Sequence, residues 1–215
     1  MPNQNPTDNI WEAMSTMRAM RRLKPDPVPD ELIRKILQAG QWAPSGGNTQ
    51  RWRFLVVKDP EVKKQVQVYY SRLYDEQVGP RYASSAPPPG SDAARYQRQN
   101  AAVKYLTDHY HEAPVWIVAC LEAGESPGRT AGSSIYPAVE NMLLATRALG
   151  LGTTLTTRHT GYGKEVDAIL GLPPGVQSYA ILPIGWPMGN FGKLGRGPLS
   201  EVVYGDRWGQ PYRGV

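Results

Sequence analysis

At 215 residues and 40% apolar content, the chain has the size of one globular domain able to enclose a real core. A formal charge of +5 admits an anionic partner, but the 24 Lys and Arg are scattered in ones and twos, which leaves nucleic acid a minority reading. No apolar run nears the roughly 20 residues needed to cross a bilayer, MPNQNPTDNIWEAM lacks the features of a signal peptide, and the single Cys120 excludes an intrachain disulfide, so the cytoplasm is the expected compartment.

Residues 8–20 read as a helix capped by Thr7 or Asp8, with Ile10, Met14, Met17 and Trp11 on its apolar face. It runs into Arg18, Arg21 and Arg22. Arg18 and Arg21, three apart on such a helix, would share a face and point at one anion, and bidentate guanidinium contact suits phosphate. A solvated helix end would read the same way. Lys24-Pro25-Asp26-Pro27 forces an extended connection, and a second helix starts near Pro29 with Asp30 and Glu31 in its first turn. Leu32, Ile33, Ile36 and Leu37 form its apolar stripe, and it ends before Pro44.

The stretch Trp42 to Phe54, WAPSGGNTQRWRF, must turn at Pro44, Ser45, Gly46 and Gly47. Asn48 and Gln50 then present two amides, whose mixed donors and acceptors suit a ligand edge of mixed polar atoms. An ordinary loop with Ser and Asn serving turn geometry would look similar. Residues 53–58 read as the first central strand, and Asp59-Pro60-Glu61 opens a third helix carrying Val62, Val66, Tyr69, Tyr70 and Leu73. Val78 to Asp92 has the composition of a mobile loop, and Ala93 to His109 reads as a polar helix.

Val115 to Leu121 is a second buried strand, with Cys120 as a small core residue. Ser133 and Ser134 are expected to cap a helix from Ile135 to Leu149, whose only formal charges are Glu140 and Arg147. A helix so apolar implies burial on nearly all sides, in part against a second subunit. Gly150-Leu151-Gly152 makes a poor dinucleotide fingerprint, because Leu155 stands where the third Gly should fall. A short helix at 164–170 and a strand at 179–184 follow. The tail carries Val202, Val203, Tyr204, Trp208 and Tyr212, which are costly to leave in water. His109, His111 and His159 lack the convergent ligands of a metal site, and no Ser sits in a nucleophile elbow.

Three blocks in order carry a resemblance: RAMRRLKPDPVPDELIRKILQAG (18–40), WAPSGGNTQRWRF (42–54) and PIGWPMGNFGKLGRGPLSEVVYGDRW (183–208). Together they resemble the nitroreductase family of FMN-dependent oxidoreductases, which opens with an Arg-rich RRSxRxF turn, continues with PSxxNxQPW before a strand and ends with a basic RxP-like segment. The resemblance implies an α+β three-layer sandwich, with a mostly antiparallel sheet flanked by helices, assembled as an intertwined homodimer. Residues 1–215 would form a single domain, with a variable lid at about 78–112 and a partner-wrapping tail at about 195–215.

The same resemblance places Arg18, Ala19, Met20, Arg21, Arg22, Pro44, Ser45, Asn48, Gln50 and Arg196 around FMN. Backbone N–H groups of Leu155, Thr156 and Thr157 would face N5 and O4 of the flavin. Arg18 and Arg196 would serve the phosphate and Arg21 the N1/O2 edge. Met17 and Ala19 depart from the family's common Arg and Ser, and Leu194 stands where a second basic residue is often found, with Lys193 as its substitute. In the lid, Tyr82, Tyr96, Tyr105 and Tyr110 are candidates for stacking on a flat substrate, and half-buried packing residues would read the same way. The implied reaction is hydride transfer from NADH or NADPH to a nitroaromatic, quinone or similar small acceptor. The flavin carries that chemistry, so no residue is assigned as catalytic acid. A specialised reductive dehalogenase, a flavin-fragmenting enzyme and a flavin-binding sensor without turnover are the alternatives.

Overall fold

The structure is a computed structural model and describes residues 6–87, 91–122, 124, 128 and 130–215. Helix α1 (Ile10–Thr16) is capped by Asn9, not by Thr7 or Asp8, because the Asn9 side chain accepts from the N–H groups of Trp11 and Glu12. It stops four residues short of the expected end. The hydroxyls of Ser15 and Thr16 donate back to the Glu12 carbonyl, and the next residues are drawn toward the sheet, where Met20 N–H donates to Thr153 O.

Strand β1 (Leu23–Lys24) leads to α2 (Asp30–Gln41), which buries Ile33 and Ile36 as the stripe predicts. Strand β2 (Trp52–Val57) precedes α3 (Pro60–Leu73), capped by Asp59 with Pro60 at its first position. The expected mobile loop is helical in its first half: a π turn at Tyr74–Val78 passes into α4 (Gly79–Ser84). Residues 88–90 of that stretch lie outside the described residues. Helix α5 (Ala93–Asp108), strand β3 (Val115–Glu122) and helix α6 (Gly132–Ala148) follow. Neither Ser133 nor Ser134 caps α6, which begins one residue earlier; the Ser134 hydroxyl accepts from the Gly46 N–H at 3.1 Å. Strand β4 (Gly152–Thr153), helix α7 (Gly163–Ile169) and strand β5 (Val176–Pro187) complete the order.

The sheet runs β1-β5-β3-β2 with β4 also paired to β5, and every pairing is antiparallel. Strand β2, expected to be central, ends this path and pairs only with β3 among the described residues. Strand β3 shows the period of two that makes three layers. Val115, Ile117, Ala119 and Leu121 pack with Ile36, Ile135 and Met142 on the α2/α6 side. Trp116, Val118 and Cys120 pack with Val66, Tyr70, Leu106 and Val166 on the α3/α5/α7 side. The first layer is tight: a Cβ on Gly40 would lie 2.9 Å from Met142 Cγ.

Apolar surface remains outside this core. The expected α1 face is not buried: Ile10 and Met14 are exposed, Trp11 is 77% exposed and Met17 is only partly covered, so Ala13 is the helix's buried residue, and nearby Trp42 is 74% exposed. A groove of about 390 Å³ lies there, lined by Ile10, Ala13, Trp42, Leu144 and Ala145. Among the described residues, no helix is long and apolar enough to cross a membrane.

Candidate functional site

Residues 17–22 are not helical, so Arg18 and Arg21 do not share a helical face. They converge nevertheless, because β pairing fixes the strip on either side: Met20 N–H donates to Thr153 O and Met188 N–H to Arg22 O. Arg18, Ala19 and Arg21 line a cleft of about 570 Å³, which they share with Arg95 and Arg98 of α5 and with Lys193 and Arg196. No carboxylate lines it among the described residues, and none of its six cations joins an ion pair there. The sequence reading missed Arg95 and Arg98, although their i,i+3 spacing on a predicted helix was a usable signal.

The two strips of the cleft are tied together from behind. The Leu194 N–H donates to Ser15 O at 2.9 Å, and the Phe191 ring lies 4.2 Å under the Arg147 guanidinium. Arg147 Nε in turn donates to Thr16 Oγ1 at 2.8 Å, and its Nη2 lies 3.4 Å from Glu12 Oε1. Arg147 thus joins the end of α1 to the segment carrying Lys193 and Arg196. Across the cleft, Arg95 covers Gly195 so closely that a Cβ there would lie 3.0 Å from Nη1.

Arg21 is partly buried, and that burial lowers its pKa, with Arg158 and Arg18 pushing the same way against Tyr82 and Tyr70. Arg158 is a further cation that sequence reasoning did not single out. It donates to Thr107 Oγ1 at 2.7 Å and sits 4.0 Å over the Tyr70 ring. Arg21 therefore brings a charge that is neither fully solvated nor neutralised, a setting in which a nearby anion gains most.

The amide loop is built separately. Ser45 Oγ accepts the Gln50 N–H at 3.0 Å, and Gln50 Nε2 donates to Asn48 Oδ1 at 3.1 Å. Asn48 and Gln50 hold φ of 53° and 52°, beside Gly47 at 59°. Non-glycine residues are held in that region only when their surroundings require it, and such strain concentrates at functional loops. Pro44, Asn48 and Gln50 are exposed and Ser45 is half-buried.

Within the chain the amides and the arginines do not meet. The loop precedes Trp52, which pairs through Leu121 to Gln177 at the start of β5, whereas the arginine strip precedes Leu23, which pairs with Pro187 at its end. Gln177 and Pro187 are ten positions apart (187 − 177) on β5, roughly 30 Å at strand rise.

The other sequence-derived positions divide. Thr156 is consumed internally: its N–H and its hydroxyl both donate to Ile181 O, and it accepts from the Tyr110 hydroxyl at 2.7 Å. Leu155 and Thr157 flank it and are exposed. Tyr110 is fully buried, stacked 4.0 Å from Tyr70 and 4.4 Å from Trp116, so it is a core residue and not a substrate platform. Tyr96 is only 9% exposed and rests against Tyr82. Tyr105, like Tyr82, is half-buried at the surface, and it lies between His109 at 4.1 Å and the Arg22 guanidinium at 4.9 Å. Among the described residues, no three His, Cys, Asp or Glu side chains converge as a metal site would require.

The sequence model of the Nitroreductase family matches residues 15–186, which contain both the arginine strip and the amide loop. The chain belongs to the nitroreductase family. Its curated relatives include an NADH dehydrogenase of Thermus thermophilus, 31% identical over 86% of this chain and 90% of that protein. They also include the iodotyrosine deiodinase of Daphnia pulex, 26% identical over 92% of this chain. The chain spans 66% of that deiodinase's length.

Among solved structures, a nitroreductase-like protein from Desulfovibrio desulfuricans in complex with FMN is 28% identical, with a TM-score of 0.67 over 94% of this chain and 99% of that one. Iodotyrosine deiodinase bound to FMN and 3-iodo-L-tyrosine shares the fold, at 24% identity and a TM-score of 0.72 over 93% of this chain and 99% of that one. For this nitroreductase-family chain, the match ends before Lys193 and Arg196, so their place in the site rests on the cleft geometry.

Proposed function

We propose that the chain is an FMN-dependent oxidoreductase that passes two electrons as hydride from a nicotinamide nucleotide to a nitroaromatic, quinone or related small acceptor. We infer also that it works as an intertwined homodimer with shared sites. The observation that carries this reading is the cleft of six cations without a lining acid, separated by roughly 30 Å of strand from the amide loop. The donor set fits a flavin nucleotide: guanidinium and ammonium groups for a phosphate, a half-buried arginine for an electron-accepting ring edge, and amides for the ring's mixed polar atoms. FMN, when bound, supplies the two-electron chemistry.

The residues then have distinct tasks. Arg18, Lys193 and Arg196 hold the phosphate. Arg21 keeps a fixed positive charge at the N1/O2 edge, which favours the anionic form of the ring there. Ser45, Asn48 and Gln50 of one copy complete the site opened by the arginines of the other. The exposed apolar groove at α1 and the exposed tail residues supply surface for that second copy. The acceptor lies in an open site where water delivers protons, so no side chain is assigned as an acid.

Relatives named iodotyrosine deiodinase favour a second reading, reductive dehalogenation of a halogenated aromatic. The test begins with the visible spectrum of the purified protein. A flavin band that bleaches under NADPH or NADH and returns with a nitroaromatic or quinone is the expected result. Return with 3-iodo-L-tyrosine alone would favour dehalogenation, and a colourless protein unable to take up FMN would sink both readings.

Two substitutions sharpen the assignment. Arg18→Ala and Arg196→Ala should each weaken FMN binding by about ten- to a hundredfold, the loss of one charge-assisted contact of roughly 1.5–3 kcal/mol. Riboflavin, which has no phosphate, should bind almost unchanged; equal losses for both ligands would move these arginines away from the phosphate. Arg21→Ala should lower the reduction potential of bound FMN, measured by dye-coupled titration. An unchanged potential in the flavin-loaded variant would place Arg21 elsewhere.

A further inference from the structure

The cleft holds more positive charge than one flavin nucleotide accounts for. A phosphate monoester carries at most two negative charges and a reduced ring one more, against six cations at the cleft wall. The six also come from different elements. Arg18, Arg21, Lys193 and Arg196 belong to the two strips tied by Arg147, whereas Arg95 and Arg98 belong to α5.

On α5 these two arginines lie three apart, in the first two turns, so they share one face of the helix. Tyr96 between them is buried and fixes the rotation of the helix, while Arg95 and Arg98 are exposed. Arg95 reaches across to Gly195, so the pair faces the phosphate-binding strip from the opposite wall. Two guanidinium forks in that position form a place for a second phosphate, brought by whatever enters the cleft beside the flavin.

We propose that Arg95 and Arg98 form a second anion subsite that receives the 2′-phosphate of the nucleotide donor and so selects NADPH over NADH. The inference rests on the flavin function proposed above. The two donors differ only in that phosphate, and the α5 pair gives the cleft a cationic wall not needed for the flavin's own. The same phosphate chemistry could instead come from FMN itself, and the experiment separates the two sources.

FMN-loaded protein is titrated calorimetrically with adenosine 2′,5′-bisphosphate and with AMP, for the wild type and for R95Q/R98Q. The wild type should bind the bisphosphate about tenfold or more tightly than AMP, and the double variant should lose that difference while retaining FMN through dialysis. The NADPH-to-NADH ratio of kcat/KM should fall in parallel. Equal binding of the two nucleotides by the wild type would overturn the proposal. So would a double variant that sheds FMN yet still discriminates, since the arginines would then belong to the flavin phosphate. Failure of every protein to take up FMN would bring down the flavin reading and this one with it, whereas lost discrimination in a flavin-loaded wild type brings down this one alone.

Discussion

A chain cut after Ser200 should dissociate at concentrations where the full-length protein is dimeric, and should release FMN as it does so. The tail has local structure of its own: Tyr204 pairs with Pro211 across a short bridge, and its ring lies 4.6 Å from that of Trp208. It nevertheless finds no seat on its own protomer, with Val202 70%, Trp208 88% and Tyr212 52% exposed. Each such group contributes roughly 1.5–3 kcal/mol when buried. Three of them covered by a second copy would add on the order of 5 kcal/mol, about three to four orders of magnitude in the dimer constant. Flavin should follow on the shared-site reading proposed above, because the amides and the arginines lie at opposite ends of β5. Light scattering and flavin absorbance across a dilution series would report the two losses together. A truncated monomer holding stoichiometric FMN would put the complete site in one chain.

Much of this molecule is readable from local pattern, and the exceptions have physical causes. The stripe of α2, the cap and proline of α3 and the apolar run of β3 depend on residues near in sequence, and each forms where the sequence predicts. The turn at Pro44 to Gly47 is legible for the same reason. Helical spacing predicts that Arg18 and Arg21 share one anion, yet they reach one cleft from a non-helical strip held by Thr153 and Met188. Strand pairing with residues more than a hundred positions away overrode helix propensity there, and no local signal carries that information. Tyr110 reads from sequence as either a stacking platform or a packing residue of the lid, and the short turn at Tyr110–Glu112 settles it in the core against Tyr70 and Trp116. Arg95 and Arg98 were overlooked on a helix whose polarity suggested solvent on most sides; its role emerges only where α5 meets the segment at Gly195. The left-handed backbone at Asn48 and Gln50 is also invisible in sequence, although Asn tolerates it better than most residues.

Stability should fall steeply as the pH drops from about 6.5 to 4, and His159 should be the main cause. This side chain is fully buried, and Nε2 lies 3.1 Å from Ser178 Oγ. Ser178 donates its hydroxyl proton to Asp167, so Nε2 must carry the hydrogen of the histidine, and Nδ1 is left buried without a partner. Burial pushes the His159 pKa down from 6.5 to about 4, opposed by the Ser178 backbone. The folded state therefore refuses a proton that the unfolded chain accepts throughout that window. Stability rises with pH wherever the unfolded chain binds more protons, so acidification from 6.5 to 4 removes about 3 kcal/mol through this one group.

Asp167 works the other way. Its pKa is raised by burial, against the Ser178 hydrogen bonds, so it takes up a proton earlier in the fold than in the unfolded chain and offsets part of the loss. Urea unfolding at a series of pH values would measure the net slope, with His159→Gln as the comparison. The glutamine amide still offers Ser178 a donor but does not titrate, so the variant should lose most of the wild type's acid sensitivity between pH 6.5 and 4. Parallel curves for the two proteins would show that His159 already carries its proton inside the fold, with Nδ1 paired to a group the buried Ser178–Asp167 relay does not supply.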